Sequence, residues 1–259
     1  MLKLSDLKDL GRALRQDDPP DLGLATTEHI LRAIDEGRSE DAKRLVRYAL
    51  DEGKGLHDLM CDWVWDVLTQ IARREGEETM YEVLRASQAS WMLRRTWRAF
   101  LAMSVERRVQ LTAEIMRAHR SGPAQDGSIN IVEDEICFTL ELDPCGSGGR
   151  MRRGDPVDGT ASRLGEPYCF GVTERPHPWS WGAAGVPYYC VHCAVNELLP
   201  MEWGGHPLWV TGYRDDPQAP CSWCFYKCAD DIPEICYTRL GRTKPAPGEG
   251  LYAETSVTD

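Results

Sequence analysis

The chain has 259 residues and 29.2 kDa, with 42% hydrophobic and 27% charged residues, enough apolar content to bury a core and too much to be a disordered segment. Asp plus Glu number 41 against 30 Lys plus Arg, a formal charge of -11, which is the wrong sign for drawing in a phosphate backbone and excludes general nucleic-acid binding as an expectation. Met1 to Asp6 carry no basic stretch followed by an apolar run, and the longest uncharged tract, 176–196, contains Pro176, Pro178 and Pro187, so neither a secretory leader nor a membrane span is expected and the chain reads as cytoplasmic.

Residues 1–121 read as a helical bundle. Only Pro19, Pro20 and Cys61 represent their residue types before residue 121, although the whole chain holds 16 prolines and 10 cysteines. Thr26 or Thr27 is placed to cap a helix ending near Gly37, Ser39 one ending at Gly53, and a third runs from about Leu56 to Gly76. Leu56, Met60, Trp63, Val64, Val67, Leu68 and Ile71 recur at helical spacing. A fourth helix is expected from Glu77 to about Met103, and Ser104 is placed to cap a fifth that ends before Gly122. The stretch from Ala33-Ile34-Asp35-Glu36-Gly37 to Ala49-Leu50-Asp51-Glu52-Gly53 resembles the helical cap of corrinoid-binding proteins over about 50 residues, but no Asp-x-His-x-x-Gly cobalt-ligand motif follows, and neither cofactor nor residue roles are carried over. His29, His57 and His119 read as ordinary surface or core histidines.

After Gly122 the period becomes two. Ile129 and Ile131, then Ile136, Phe138, Leu140 and Leu142, read as a β-hairpin across Glu133-Asp134. It delivers the chain to Asp143-Pro144-Cys145-Gly146-Ser147-Gly148-Gly149-Arg150. This run offers a thiol, permissive backbone and the cations Arg150, Arg152 and Arg153, the makings of an anion-binding loop. It is not a Walker loop, since the Lys-Ser/Thr ending is missing.

Residues 122–242 are expected to form an irregular cysteine- and aromatic-rich α+β region that binds metal, followed by a flexible tail over 243–259. The sharpest signal is Cys190-Val191-His192-Cys193 and Cys221-Ser222-Trp223-Cys224, two Cys-x-x-Cys pairs with 27 residues between them. Two such knuckles supply the four sulfurs that zinc prefers, so Cys190, Cys193, Cys221 and Cys224 are the expected ligands, with Cys228, Cys236, His192 and His206 as further donors nearby. An iron-sulfur cluster on Cys221, Cys224 and Cys228 with one distant cysteine is the alternative. Cys190-Val191-His192-Cys193 also resembles the redox pair of thioredoxin-like oxidoreductases, which implies thiol-disulfide chemistry at Cys190 and Cys193.

Within and around these tracts, Cys145, His192, Glu197 and His206 are the candidate catalytic groups. Arg150, Arg152, His177, Trp181, Trp203 and Trp209 are the candidate contacts for substrate. Together they give the expectation of a zinc-dependent enzyme that acts on a small, anionic molecule by hydrolytic or lyase chemistry. A non-enzymatic ligand-binding or sensor protein with structural zinc is the competitor, and a homo-oligomer is left open.

Overall fold

The computed structural model describes residues 4–7, 12–92, 96–155 and 157–252. It is a mixed helix-and-sheet protein with a long helical N-terminal region and small antiparallel sheets. The chain opens on a hairpin, β1 (Leu4–Leu7) against β2 (Arg12–Arg15), which the helical reading of this region did not anticipate. A single helical turn, α1 (Pro19–Leu22), then leads to α2 (Thr26–Asp35) and to α3 (Ser39–Glu75). Gly37, at φ +71°, makes the reversal between α2 and α3 in a backbone region where a side chain is strained.

The expected break at Gly53 does not occur. α3 runs on for 37 residues, about 55 Å at 1.5 Å per residue. A glycine inside a helix costs only about 1 kcal/mol, and here Lys54 and Asp58, four residues apart and both buried, join their side chains at 2.6 Å across the turn that follows it. α4 (Glu77–Met92) follows Gly76, and it and the short α5 (Arg98–Leu101) fall within the fourth expected helix, of which residues 93–95 are outside the described residues. In α6 (Val105–Ala118) the Ser104 hydroxyl caps the helix by accepting the Arg107 N–H at 3.3 Å, as its position predicts.

The period-two segment forms β3 (Asn130–Glu133) and β4 (Cys137–Leu142), which join β5 (Val210–Gly212) and β6 (Cys221–Tyr226) in a four-stranded antiparallel sheet of order β3-β4-β6-β5. Between β4 and β5 lie α7 (Gly148–Arg153) and α8 (Val191–Gly204). Apolar on nearly every side, α8 is buried along most of its length, as its composition requires. The short α9 (Ile235–Thr238) closes the order of elements.

One hydrophobic core draws on both halves of the chain: Trp65, Leu68 and Met80 pack in the same cluster as Leu140, Leu199, Phe225 and Tyr237. The start of the expected flexible tail lies against that core. Leu251 N–H donates to Gly204 O at 2.6 Å, and the Tyr252 hydroxyl donates to Tyr226 O at 2.9 Å; residues 253–259 of the tail are outside the described residues. Among the described residues no helix is long and apolar enough to cross a membrane.

Candidate functional site: a thiol-walled cavity

A cavity of about 510 Å³ lies between α4, α6, α8 and the core face of the sheet. Its wall is apolar and aromatic, including Met92, Phe100, Leu142, Trp181, Trp209 and Trp223, and among the described residues no Asp, Glu, Lys or Arg lines it. Four thiols do: Cys145, Cys190, Cys193 and Cys221.

Each thiol arrives by a different local rule. Cys145 follows β4, and its Sγ accepts the Gly149 N–H at 3.0 Å. Cys190 caps α8 and Cys193 sits in its first turn, so both thiols of this pair reach the same cavity. Cys221 opens β6, facing Leu142 across the ladder on the sheet's core side, with Trp223 beside Leu140 two residues on. The glycines of the 146–149 run are needed for packing. A Cβ on Gly146 would stand 1.4 Å from His119 O, and one on Gly148 would stand 2.5 Å from the Cys190 sulfur.

Cys224 does not join the other three expected ligands. β6 is a strand, and residues three apart on a strand point to opposite faces. Cys224 pairs with Thr139, whose hydroxyl lies 3.7 Å from its sulfur, on the face away from the cavity. The same alternation parts Cys221 from Cys224 in the iron-sulfur alternative, and Cys228 lies exposed beyond the strand end. Cys145 stands among the thiols instead.

The four cavity thiols influence one another. Burial, and then the nearby Cys145 and Cys221, push the Cys190 thiol well above its ordinary range. Burial, followed by Cys190, Cys145 and Cys221, does the same to Cys193. Burial and then Cys145 push Cys221 up to about 11. Cys190, Cys193 and Cys221 are thereby held as neutral thiols, unlike the acidic nucleophile of a redox pair.

Their sulfurs are a wall and not a closed cage. Among the described residues, the one group of three or more His, Cys, Asp or Glu whose ligand atoms all stand within 4.8 Å of one another is Asp58, Asp155 and Asp158. That acidic group is already filled. Lys54 Nζ lies 2.6 Å from Asp58 and 2.9 Å from Asp155 and also bonds Asp158, while Arg150 bonds both Asp58 and Asp155.

His192 belongs to the cavity. Its Nδ1 is 2.5 Å from Tyr189 O, a pure acceptor, so Nδ1 carries the hydrogen and Nε2 keeps a lone pair toward the Cys193 thiol at 3.4 Å. Burial lowers its pKa and keeps the ring neutral. Four further polar atoms on the lining are buried without a hydrogen-bond partner: Gln88 Oε1, Thr112 Oγ1, Trp209 Nε1 and Thr211 Oγ1. Such atoms cost free energy unless something fills the cavity and bonds them.

Several other expected site residues lie elsewhere. Glu197 is fully buried, with Trp181 Nε1 donating to one oxygen at 2.9 Å and Arg239 to the other at 2.8 Å. Burial raises its pKa, and its visible work is to hold Trp181, which does line the cavity. His206 bridges Tyr237 and Glu249 O at 2.7 and 2.6 Å, tying down the C-terminal segment. His177 stacks on Trp179 and bonds Glu77 at 2.7 Å, and Trp203 packs edge-on against Trp97. Arg150 is spent on the aspartates. Arg152 donates to Tyr213 Oη at 3.0 Å from behind the cavity wall, and Arg153 pairs with Asp143 at 2.8 Å.

The sequence reading passed over a second constellation at the cavity's edge. His57 and Cys61, four apart on α3, line with Tyr189 a second cleft of about 410 Å³, and Asp58 and Ser147 bond to the His57 ring. The His-x-x-x-Cys spacing on a helix was the available signal.

Fold and site together define an α+β protein built around an uncharged, thiol-walled cavity. No protein-family model, curated protein or solved structure matches the chain.

Proposed function

We propose that the cavity takes a thiophilic metal ion, zinc or the softer cadmium, together with a small apolar molecule. The observation that carries this reading is the convergence of Cys145, Cys190, Cys193 and Cys221 on one otherwise uncharged wall. Sulfur is the one donor type present in number, and thiolates select ions of this class. Held protonated by burial in the free protein, Cys190, Cys193 and Cys221 would release protons as the ion enters. Because the sulfurs are not drawn into a cage beforehand, the ion gathers them by side-chain rotation. An ion held from one wall keeps a position toward the cavity, which is the requirement for metal-assisted hydrolytic or lyase chemistry on the bound molecule.

The apolar molecule replaces the anionic substrate of the sequence reading. The cavity offers no cation to balance an anion; instead it offers aromatic faces, with Gln88 Oε1, Thr112 Oγ1 and Trp209 Nε1 to orient a few polar atoms.

Cadmium titration of the reduced protein, followed through sulfur-to-metal charge-transfer absorption, tests the reading. C145S, C190S, C193S and C221S are each expected to weaken binding by at least about tenfold, in the range seen for changes around metal ligands. C224S is expected to bind like the parent chain. Equal losses in C221S and C224S, or undiminished binding when all four cavity thiols are serine, would overturn it, with thermal melts showing that each variant is folded.

A further inference from the structure

We propose that Cys61 is a nucleophile, paired with His57 and backed by Asp58, that accepts the acyl group of a small apolar ester from the cleft beside it. The side chains form an ordered series. Asp58 Oδ1 lies 3.0 Å from His57 Nδ1, and His57 Nε2 lies 3.8 Å from the Cys61 sulfur and 3.1 Å from the Ser147 hydroxyl. The Tyr189 hydroxyl meets the same sulfur at 3.2 Å. A carboxylate that orients an imidazole, which in turn faces a thiol, is the arrangement that activates a cysteine for attack.

The carboxylate is itself fixed. Lys54 and Arg150 clamp Asp58, so it is a positioning residue that holds the His57 ring in one orientation. The groups facing His57 are Asp58 and Cys61 on its own helix, Ser147 from the loop before α7, and His119 from α6, whose ring stands edge-on at 5.8 Å. Burial alone would discharge this ring, but Asp58 and Cys61 carry its pKa up to about 9. Burial alone would likewise raise Cys61, but His57, Tyr189 and Ser147 bring it below its ordinary value. Both effects favour a thiolate beside an imidazolium near neutrality.

The cleft sets the substrate class. Leu56, Met60 and Val64 line it beside His57 and Cys61, no Asp, Glu, Lys or Arg does among the described residues, and it is open to solvent, so a small apolar acyl chain fits. In the reaction the thiolate attacks the ester carbonyl, forming the S–C bond. The C–O bond then breaks, and His57 Nε2–H gives its proton to the departing alkoxide. Water next attacks the thioester, yields its proton to His57, and releases the carboxylic acid and the Cys61 thiolate. The sum is ester plus water to acid plus alcohol, with His57 returned to its starting charge. Cys61 is not among the thiols proposed to hold the metal, so loss of cadmium binding in C193S would leave this acylation intact, and the two readings fail separately.

The test uses p-nitrophenyl butyrate and, independently, iodoacetamide on the parent chain. A burst of about one p-nitrophenolate per chain is expected, with the butyryl group mapped to Cys61, and loss of that burst in C61A. H57Q is expected to slow acylation by about a hundredfold or more. Iodoacetamide needs no variant: carboxamidomethylation of Cys61 is expected to fall much less between pH 9 and pH 6 than that of the exposed Cys169, whose thiol is raised while that of Cys61 is lowered. A butyryl adduct mapped to Ser147 or to another cysteine, or a Cys61 labelling rate that follows pH as steeply as that of Cys169, would overturn the proposal.

Discussion

Two polar regions of this molecule differ in how completely their groups are matched. Lys54, Asp58, Arg150, Asp155 and Asp158 form a network in which each charge has a partner of opposite sign. The cavity holds four thiols, no Asp, Glu, Lys or Arg among the described residues, and four further polar atoms with no hydrogen-bond partner. The acidic cluster has the closer-set metal donors, yet its central position belongs to Lys54 Nζ. The thiols stand further apart, yet among the described residues they meet no charged partner, only the Gly149 N–H at Cys145 and the His192 ring at Cys193. A region whose groups are satisfied internally supports structure, and one whose groups are left over is available to a ligand.

The sharpest way to break that comparison is to unbalance the network. R150M removes the guanidinium that joins Asp58 to Asp155 in a buried site, and it is expected to cost about 3–5 kcal/mol in urea unfolding. A loss below about 1 kcal/mol would mean that the network is not a closed, matched unit.

The next effect is on pH dependence, at the point where the two regions meet. The pKa of His57 is raised from 6.5 in the unfolded chain to about 9 in the folded one. Its contribution to stability is therefore fully present below pH 6.5 and is lost as pH rises through about 9. The melting temperature of H57Q should vary less than that of the parent chain across this window. Parallel curves would show that the His57–Asp58 contact is not formed in solution.

On the cavity side the sign reverses. T112V removes an unpartnered buried hydroxyl at nearly constant shape, and it is expected to leave stability unchanged or raise it by up to about 1 kcal/mol. A loss larger than that would mean that Thr112 is bonded and that the cavity is less unmatched than it looks. The smallest effect concerns neither region directly. G53A on α3, where an added Cβ meets nothing within 4 Å, is expected to stabilise by about 0.5–1 kcal/mol, since Gly53 is an ordinary helical position.

The same residues show how far the sequence could be read. The amphipathic helices, the Ser104 cap and the β3–β4 hairpin were legible because each rests on a local period or a cap. Gly53 was misread as a stop because the Lys54–Asp58 pairing that spans the next turn is joined by Asp158, over a hundred residues away. The Cys-x-x-Cys spacing was read alike in both places, but it means different things on a helix and on a strand. Cys190 and Cys193 share a cavity from the start of α8, whereas Cys221 and Cys224 are divided by the pleat of β6. Had 221–226 been recognised as a strand, the period-two rule would have rejected Cys224. The aromatic tracts divided similarly: Trp181 and Trp209 reach the cavity and Trp203 does not, a choice made by tertiary packing and invisible in composition. His57 and Cys61 carried a helical spacing that was there to be noticed, but their partners Ser147 and Tyr189 are far away in sequence.

Anomalous diffraction from a crystal soaked in cadmium locates the ion without recourse to variants. The account predicts density in the cavity, bonded to sulfurs drawn from Cys145, Cys190, Cys193 and Cys221, with Cys224 still turned toward Thr139. Density among Asp58, Asp155 and Asp158 with Lys54 displaced, or an empty cavity beside cadmium on Cys224, would contradict it.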